Sequence, residues 1–255
     1  MKRPYATNLT KNQVKTIRKH IPEIFITRSR YDPIRIVNAI LYLVKTGCQW
    51  NMLPKNFPKW RCVYHHFRTW SDRGLFTRLM KALTQTRRIQ IGESRYPDFA
   101  VADSQSVKWG LIHSTKGYDG GKKVKGVKRH IIVDSHGLPL EVNITRANVH
   151  DTKGIIPAIC RLHCDWQGVD TIKTDLGYRG ALLRILPETL GIKIECVKSN
   201  YGTTEFVPIQ GRWVVERSFS WLDCYRRVTR NYEKYIRTAM AVTTIAFCML
   251  LLKYI

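Results

Sequence analysis

The chain predicts an α/β protein, a mixed central sheet with helices around it, preceded by an all-helical segment. Three observations carry that expectation. Apolar residues recur at helical spacing through the first part of the chain, up to the polar stretch before Phe99. From Phe99 the period changes to short apolar runs bounded by turn residues and alternating with helical patterns. Hydrophobic residues make up 44% of 255, with no long polar or repetitive tract, so the chain can bury a sizeable core. The length suits one large domain or two smaller ones, and the change of period divides it into residues 1–92 and 93–255.

In the first part, Asp32 is placed to cap a helix and Pro33 sits in the first turn, where its missing N–H costs nothing. IRIVNAILYLVKT then runs apolar until Gly47. After Pro54 and Pro58 comes WRCVYHHFRTWSDRG, in which Val63, Phe67 and Trp70 recur at helical spacing before Gly74. Two helices joined in this way suit a helix-turn-helix, and LFTRLMKALTQTRR predicts a further helix. Trp50, Trp60 and Trp70 are expected in the core of this region, with contact of one of them to a DNA sugar as the alternative.

Beyond the linker ESRYPD, FAVAD is a short apolar run ending in a carboxylate. RHIIVD and LPLEVNIT are strand-like runs on either side of SHG, and DTKGIIPAICRLH is helical. VDTIKTD predicts a strand, RGALLRIL a helix, IKIECVK a strand and WVVERSFSWLDCYRR a long amphipathic helix. Three strands, helix, strand, helix, strand, helix is the order of a ribonuclease H-like fold. The most apolar stretch, TAMAVTTIAFCMLLL from Thr238 to Leu252, falls short of the roughly 20 residues that span a bilayer and predicts a buried C-terminal helix.

Charge supplies the first functional clue. Against 19 Asp+Glu stand 43 Lys+Arg, a formal net charge of +24, and residues 1–92 hold 19 of these cations but only 3 acids. Such an excess calls for a polyanionic partner, and nucleic acid fits better than a membrane surface because no lipidation motif or anchored basic helix is present. The start, MKRPYATNLTKNQ, lacks an apolar core, so a secretory signal is not expected and the protein is placed inside the cell. Seven cysteines without framework spacing fit a reducing compartment. Cys160, His163 and Cys164 lack a second ligand pair at zinc spacing and read as ordinary helix positions.

Cutting and joining phosphodiesters needs hard cations, and these need carboxylates on rigid elements. Asp103 at the end of the first strand, Asp175 at the end of the fourth and Glu216 in the last helix of the layer meet that description. With this strand order the first and fourth strands lie side by side, which brings the two aspartates to one edge. Three such acids would repel one another unless cations neutralise them. From periodicity alone, capping or salt-bridged acids stay open as an alternative.

Here the residues match a family. The chain resembles transposases of the bacterial IS5 group within the wider IS4-like superfamily, over nearly its whole length. YDPIRIVNAILYLVKTGCQWNMLPKNFPKWRCVYHHFRTWSDRGLF is similar to that family's helical DNA-binding region. ADSQSVKW resembles the first-Asp motif, DGGKKVKGVKRHIIVDSHGLPLEVNITRANVHD the strand hairpin after it, TDLGYRG the second-Asp motif and RWVVERSFSWLDCYRR the Glu motif. The resemblance implies that Asp103, Asp175 and Glu216 form a catalytic, metal-binding triad for Mg²⁺ or Mn²⁺, two ions in all. In the related Tyr-Arg-Glu-Lys signature Arg212 matches, but Ile209 stands at the Tyr position and Asp223 at the Lys position, so the contacts those groups make elsewhere are not carried over.

The activity so implied is cleavage at the terminal inverted repeats of a mobile element and joining of the freed 3′-OH to target DNA, with double-stranded DNA as partner and a homodimer or larger assembly pairing the ends. Lys122, Lys123, Lys125, Lys128 and Arg129 put five cations in eight residues, a pattern suited to phosphate contact. Arg226, Arg227 and Arg230, with interleaved tyrosines, and Arg212, one turn before Glu216, are further candidates. His113, His130, His136 and His150 lie near the motifs, but a two-metal mechanism does not need a histidine base. Two alternatives remain from the sequence: a non-catalytic or domesticated DNA-binding protein, and a stand-alone nuclease of the same fold.

Overall fold

A computed structural model describes residues 4–26, 29–110, 115–178, 180–196 and 212–255. Four helices open the chain: α1 (Lys11–His20), α2 (Pro33–Thr46), α3 (Trp60–Asp72) and α4 (Leu75–Gln90). Asp32 accepts from the Ile34 amide to cap α2, and Gly47 ends it in the left-handed conformation at φ 73°, where a side chain would be strained. Thr10 and Gln13 form a capping box at the start of α1.

The sheet follows, from β1 (Phe99–Lys108), β2 (Gly117–Asp119), β3 (Val124–Val133), β4 (Pro139–Arg146), β5 (Thr171–Thr174) and β6 (Lys193–Cys196). Helix α5 (Asp151–Asp165) connects β4 to β5, and α6 (Ala181–Leu190) connects β5 to β6. After them come α7 (Arg212–Asp223), α8 (Arg226–Thr229) and α9 (Ile236–Leu251). The strand order is β2-β3-β1-β5-β6, with β4 also paired to β3; β1, β3 and β4 are antiparallel, while β5 and β6 run parallel to β1.

Alternation along β1 divides the interior. Val101 and Val107 join Ile131 and Val133 in a core shared with α2, α3, α4, α7 and α9. Ala100 and Ala102 face the other way, into a core built on Ile155, Ile159 and Leu162 of α5 and Ile172 of β5. The first four helices therefore pack into the same core as one face of the sheet. An interior ion pair ties them together: Arg88 of α4 reaches Asp134 in the β3–β4 turn, both fully buried, and Asp134 also accepts from the His136 and Leu138 amides at 2.9 Å each.

The C-terminal helix runs in a continuous helical segment, Ile236–Tyr254, whose 19 residues extend beyond the apolar stretch read from the sequence and are, by length and composition alone, enough to cross a membrane. Of an 18-residue window of that segment, 72% is buried, and the helix packs against α4, β4 and α2, so the interior accounts for its composition.

Candidate active site

Strand β1 does not stop at Asp103, as its sequence pattern predicts, but continues to Lys108. The reason is pairing: β3 accompanies it all the way, from Val101↔Val133 to Lys108↔Gly126. On the opposite edge β5 leaves after Val101↔Lys173. Asp103 therefore lies just where β1 loses its parallel neighbour, and Asp175 follows the last residue of β5. Continuing the register past Val101↔Lys173 sets the two aspartates at the same level on adjacent strands, both half-buried.

Helix α7 packs on the same face. Val215, Phe219 and Leu222 are buried in the core that includes Val101, and Ser218 donates to the Gly137 carbonyl at 2.8 Å. At its other end Asp223 lies close enough to raise the buried Arg129 guanidinium's affinity for its proton, although burial holds that group down to about 10. Arg129 pairs in register with Gln105. The helix thus passes along the part of β1 that holds Asp103, with Glu216 exposed on its flank. Among the described residues, no three His, Cys, Asp or Glu side chains are gathered into a group able to hold a metal ion.

Carboxylate charge acts on the residue next to the aspartates. Buried Tyr178, in the turn after Asp175, has its phenol raised well above the ordinary range, first by burial and then by the charges of Asp103, Asp151 and Asp175. Carboxylate oxygens are the hard donors that Mg²⁺ or Mn²⁺ requires, so Asp103, Asp175 and Glu216 fit such ions by donor type, although the described side chains are not gathered into one group.

A second polar network, unforeseen from the sequence, lies on the opposite face of β1. Ser104 donates to Asp151 at 2.7 Å and Ser106 to Asp119 at 2.5 Å. Lys128 bridges these acids, 3.0 Å from Asp151 and 3.4 Å from Asp119. Burial raises the affinity of both carboxyls for protons, but the hydroxyls, the Lys122 amide at Asp119 and the Lys128 charge outweigh it, taking Asp119 down to about 2 and Asp151 below its usual value. The available signal was polar Ser104 and Ser106 alternating with Asp103 and Gln105 along a central strand.

The cations read as phosphate contacts separate by burial. Lys122, Lys123 and Lys125 are exposed, and Lys122 Nζ donates to the Ser104 carbonyl at 3.2 Å, which keeps this turn beside Asp103. Lys128 and Arg129 are instead 5% and 3% exposed and engaged inside, because the strand extends further towards the N-terminus than its apolar run suggested. Arg226 and Arg230 are exposed; Arg227 is buried in a two-pronged pair with Glu233 at 2.7 and 3.0 Å. The side chain of Arg212 lies outside the described residues, as do His113 and Ile209.

Of the histidines, His130 is buried, contacts Thr145 at 2.9 Å and is held neutral by burial, down to about 4. His136 pairs with Glu93, and His150 caps α5 by accepting from Thr152. Cys160, His163 and Cys164 are exposed positions on α5. Trp70 is fully buried and Trp50 packs on Tyr64 and Phe67, but Trp60 is 38% exposed, outside the core predicted for it, because it opens α3 on the surface.

The family described as "Transposase DDE domain" matches residues 96–251, and one described as "Putative transposase of IS4/5 family" matches residues 9–80. The "Putative transposase for insertion sequence element IS402" of Burkholderia cepacia is 30% identical over 135 residues, 49% of this chain and 62% of the relative. The "Putative transposase for insertion sequence element IS6501" of Brucella ovis is 28% identical over 131 residues, 49% of this chain and 98% of the relative. The chain thus spans 62% of the first relative's length and nearly all of the second's.

Proposed function

From the premise that the chain belongs to the transposase DDE-domain family, with an IS4/5-type region before that domain, we propose that it cleaves the ends of an insertion sequence and joins the freed 3′-OH to target DNA. The observation that carries this reading is the level placement of Asp103 and Asp175 on adjacent parallel strands, with the Glu216 helix across the same face. The strand order, with β4 and β2 outside β3 and then β1, β5 and β6, supports a ribonuclease H-like core. Residues 1–92 are the part that reads the inverted repeats, 93–255 the catalytic part, and pairing of two ends requires at least two copies.

Asp103, Asp175 and Glu216 would hold two Mg²⁺ or Mn²⁺ ions. Bound there, such ions supply an activated water or 3′-OH and neutralise charge on the leaving oxygen. The chain's own residues set the geometry: β3 pairing holds Asp103 rigid, the Gly177 amide donates to Asp175 at 2.9 Å, and Lys122, Lys123 and Lys125 offer phosphate contacts beside it. Arg226 and Arg230 extend that exposed basic surface.

The test mixes the protein with a duplex carrying the element's own terminal repeat, a supercoiled plasmid and Mg²⁺ or Mn²⁺. End cleavage and joined product are expected, with Asp175→Asn reduced by about 100-fold or more, beyond what loss of a group merely supporting a metal ligand costs. Cleavage without joining would point to a nuclease, and specific binding without chemistry to a DNA-binding regulator.

A further inference from the structure

The helical region carries an open cleft that this chemistry does not use. It lies between the starts of α2 and α3 and encloses about 660 Å³, within the roughly 300–1,000 Å³ usual for ligand sites. Its charged lining is Arg35, Lys55, Lys59 and Arg61, all exposed, and no acidic side chain lines it. Tyr31 and Trp60 line it as well, the latter 38% exposed with the Arg61 guanidinium 5.5 Å from its ring centre.

The floor is held in place. Phe57 stacks on Tyr5 at 5.0 Å and meets Tyr42 at 5.4 Å, and Arg35 donates to the Asn56 carbonyl at 2.5 Å. Four exposed cations without a carboxylate among them make a positive surface that attracts an anion. An exposed indole in the same cleft calls for a flat apolar partner. A nucleic acid strand offers both, phosphates for the cations and a base for the ring. A duplex keeps its base faces inside its own stack, so the strand must have an unpaired base.

We infer that this cleft binds a DNA strand with unpaired bases, a base stacked on Trp60 and its flanking phosphates on Lys55, Lys59 and Arg61. This deepens the transposase reading, on which the choice of DNA rests; strand ends opened during cleavage are the natural source of unpaired bases.

The experiment uses the full chain without metal, and follows the fluorescence anisotropy of labelled oligothymidylate and of a labelled duplex. Trp60→Ala is expected to bind oligothymidylate roughly tenfold more weakly, the size of one stacked base, with duplex binding nearly unchanged. Trp60→Phe, which keeps a ring, should retain most of the affinity and serves as the folding control. Replacing Lys55 and Arg61 together by Gln should lower the salt dependence of oligothymidylate binding by about one to two phosphate contacts.

Wild-type affinity in Trp60→Ala, or an equal loss on duplex and single strand, would overturn the inference. Absent cleavage with intact, Trp60-dependent binding would sink the transposase chemistry and leave the cleft; normal cleavage with Trp60-independent binding would sink the cleft alone.

Discussion

Glu141 on β4 shows how burial sets a single group's behaviour. It is 2% exposed, and burial raises its carboxyl to about 7 despite the attraction of Arg161, whose Nε donates to it at 3.0 Å. Folding therefore favours the protonated form. That contribution is fully present below about pH 4.5 and is lost as pH rises through 7, on the order of 3 kcal/mol in all. Urea unfolding from pH 4.5 to 7.5 should show this decline, and Glu141→Gln should flatten it; an equal decline in both proteins would rule the assignment out. The sequence offers Glu141 only as one acid in an apolar strand. The candidate triad was legible because its acids occur in long ordered motifs, whereas Asp119 and Asp151 carried no signal of their own and Lys128 read as a phosphate contact, until three elements met around Ser104 and Ser106.

At the scale of elements, the packing of α5 on the sheet depends on a missing side chain. A Cβ on Gly154 would lie 2.2 Å from His130 Nε2, and the ring cannot retreat because Nε2 contacts Thr145 at 2.9 Å. Gly154→Ala is expected to destabilise by about 3 kcal/mol, the upper part of the range for overpacking. Adding His130→Ala should recover part of that loss. Chemical denaturation of both singles and the double checks this, and additive losses would show that the clash is relieved elsewhere. Helix periodicity announced α2, α3 and α5, and the turn residues announced the β3–β4 hairpin. Strand lengths were less legible: β1 and β3 each run ten residues because they pair with one another, and polar residues such as Gln105 and Lys128 are carried along.

Over the whole molecule, the division seen in the sequence at residue 92 is not a division of the core. Leu79 and Leu83 of α4, Phe247 of α9 and Val133 of β3 belong to one buried cluster, and the Arg88–Asp134 pair crosses the same boundary. Calorimetry of the full chain should accordingly show one cooperative transition, while residues 93–255 alone should bind a hydrophobic dye and lack that transition. Two separate transitions would mean that the helical region and the sheet fold independently. The sequence by itself determined the types of the main elements and their order, because periodicity, capping and turn chemistry act over a few residues, and it offered the acids of the candidate site through their motifs. The tertiary structure decided which strand neighbours which, which cations face solvent and which are paired inside, and that Trp60 lies in an open basic cleft. Those outcomes depend on side chains brought together from distant parts of the chain, where burial and pairing outweigh local preference.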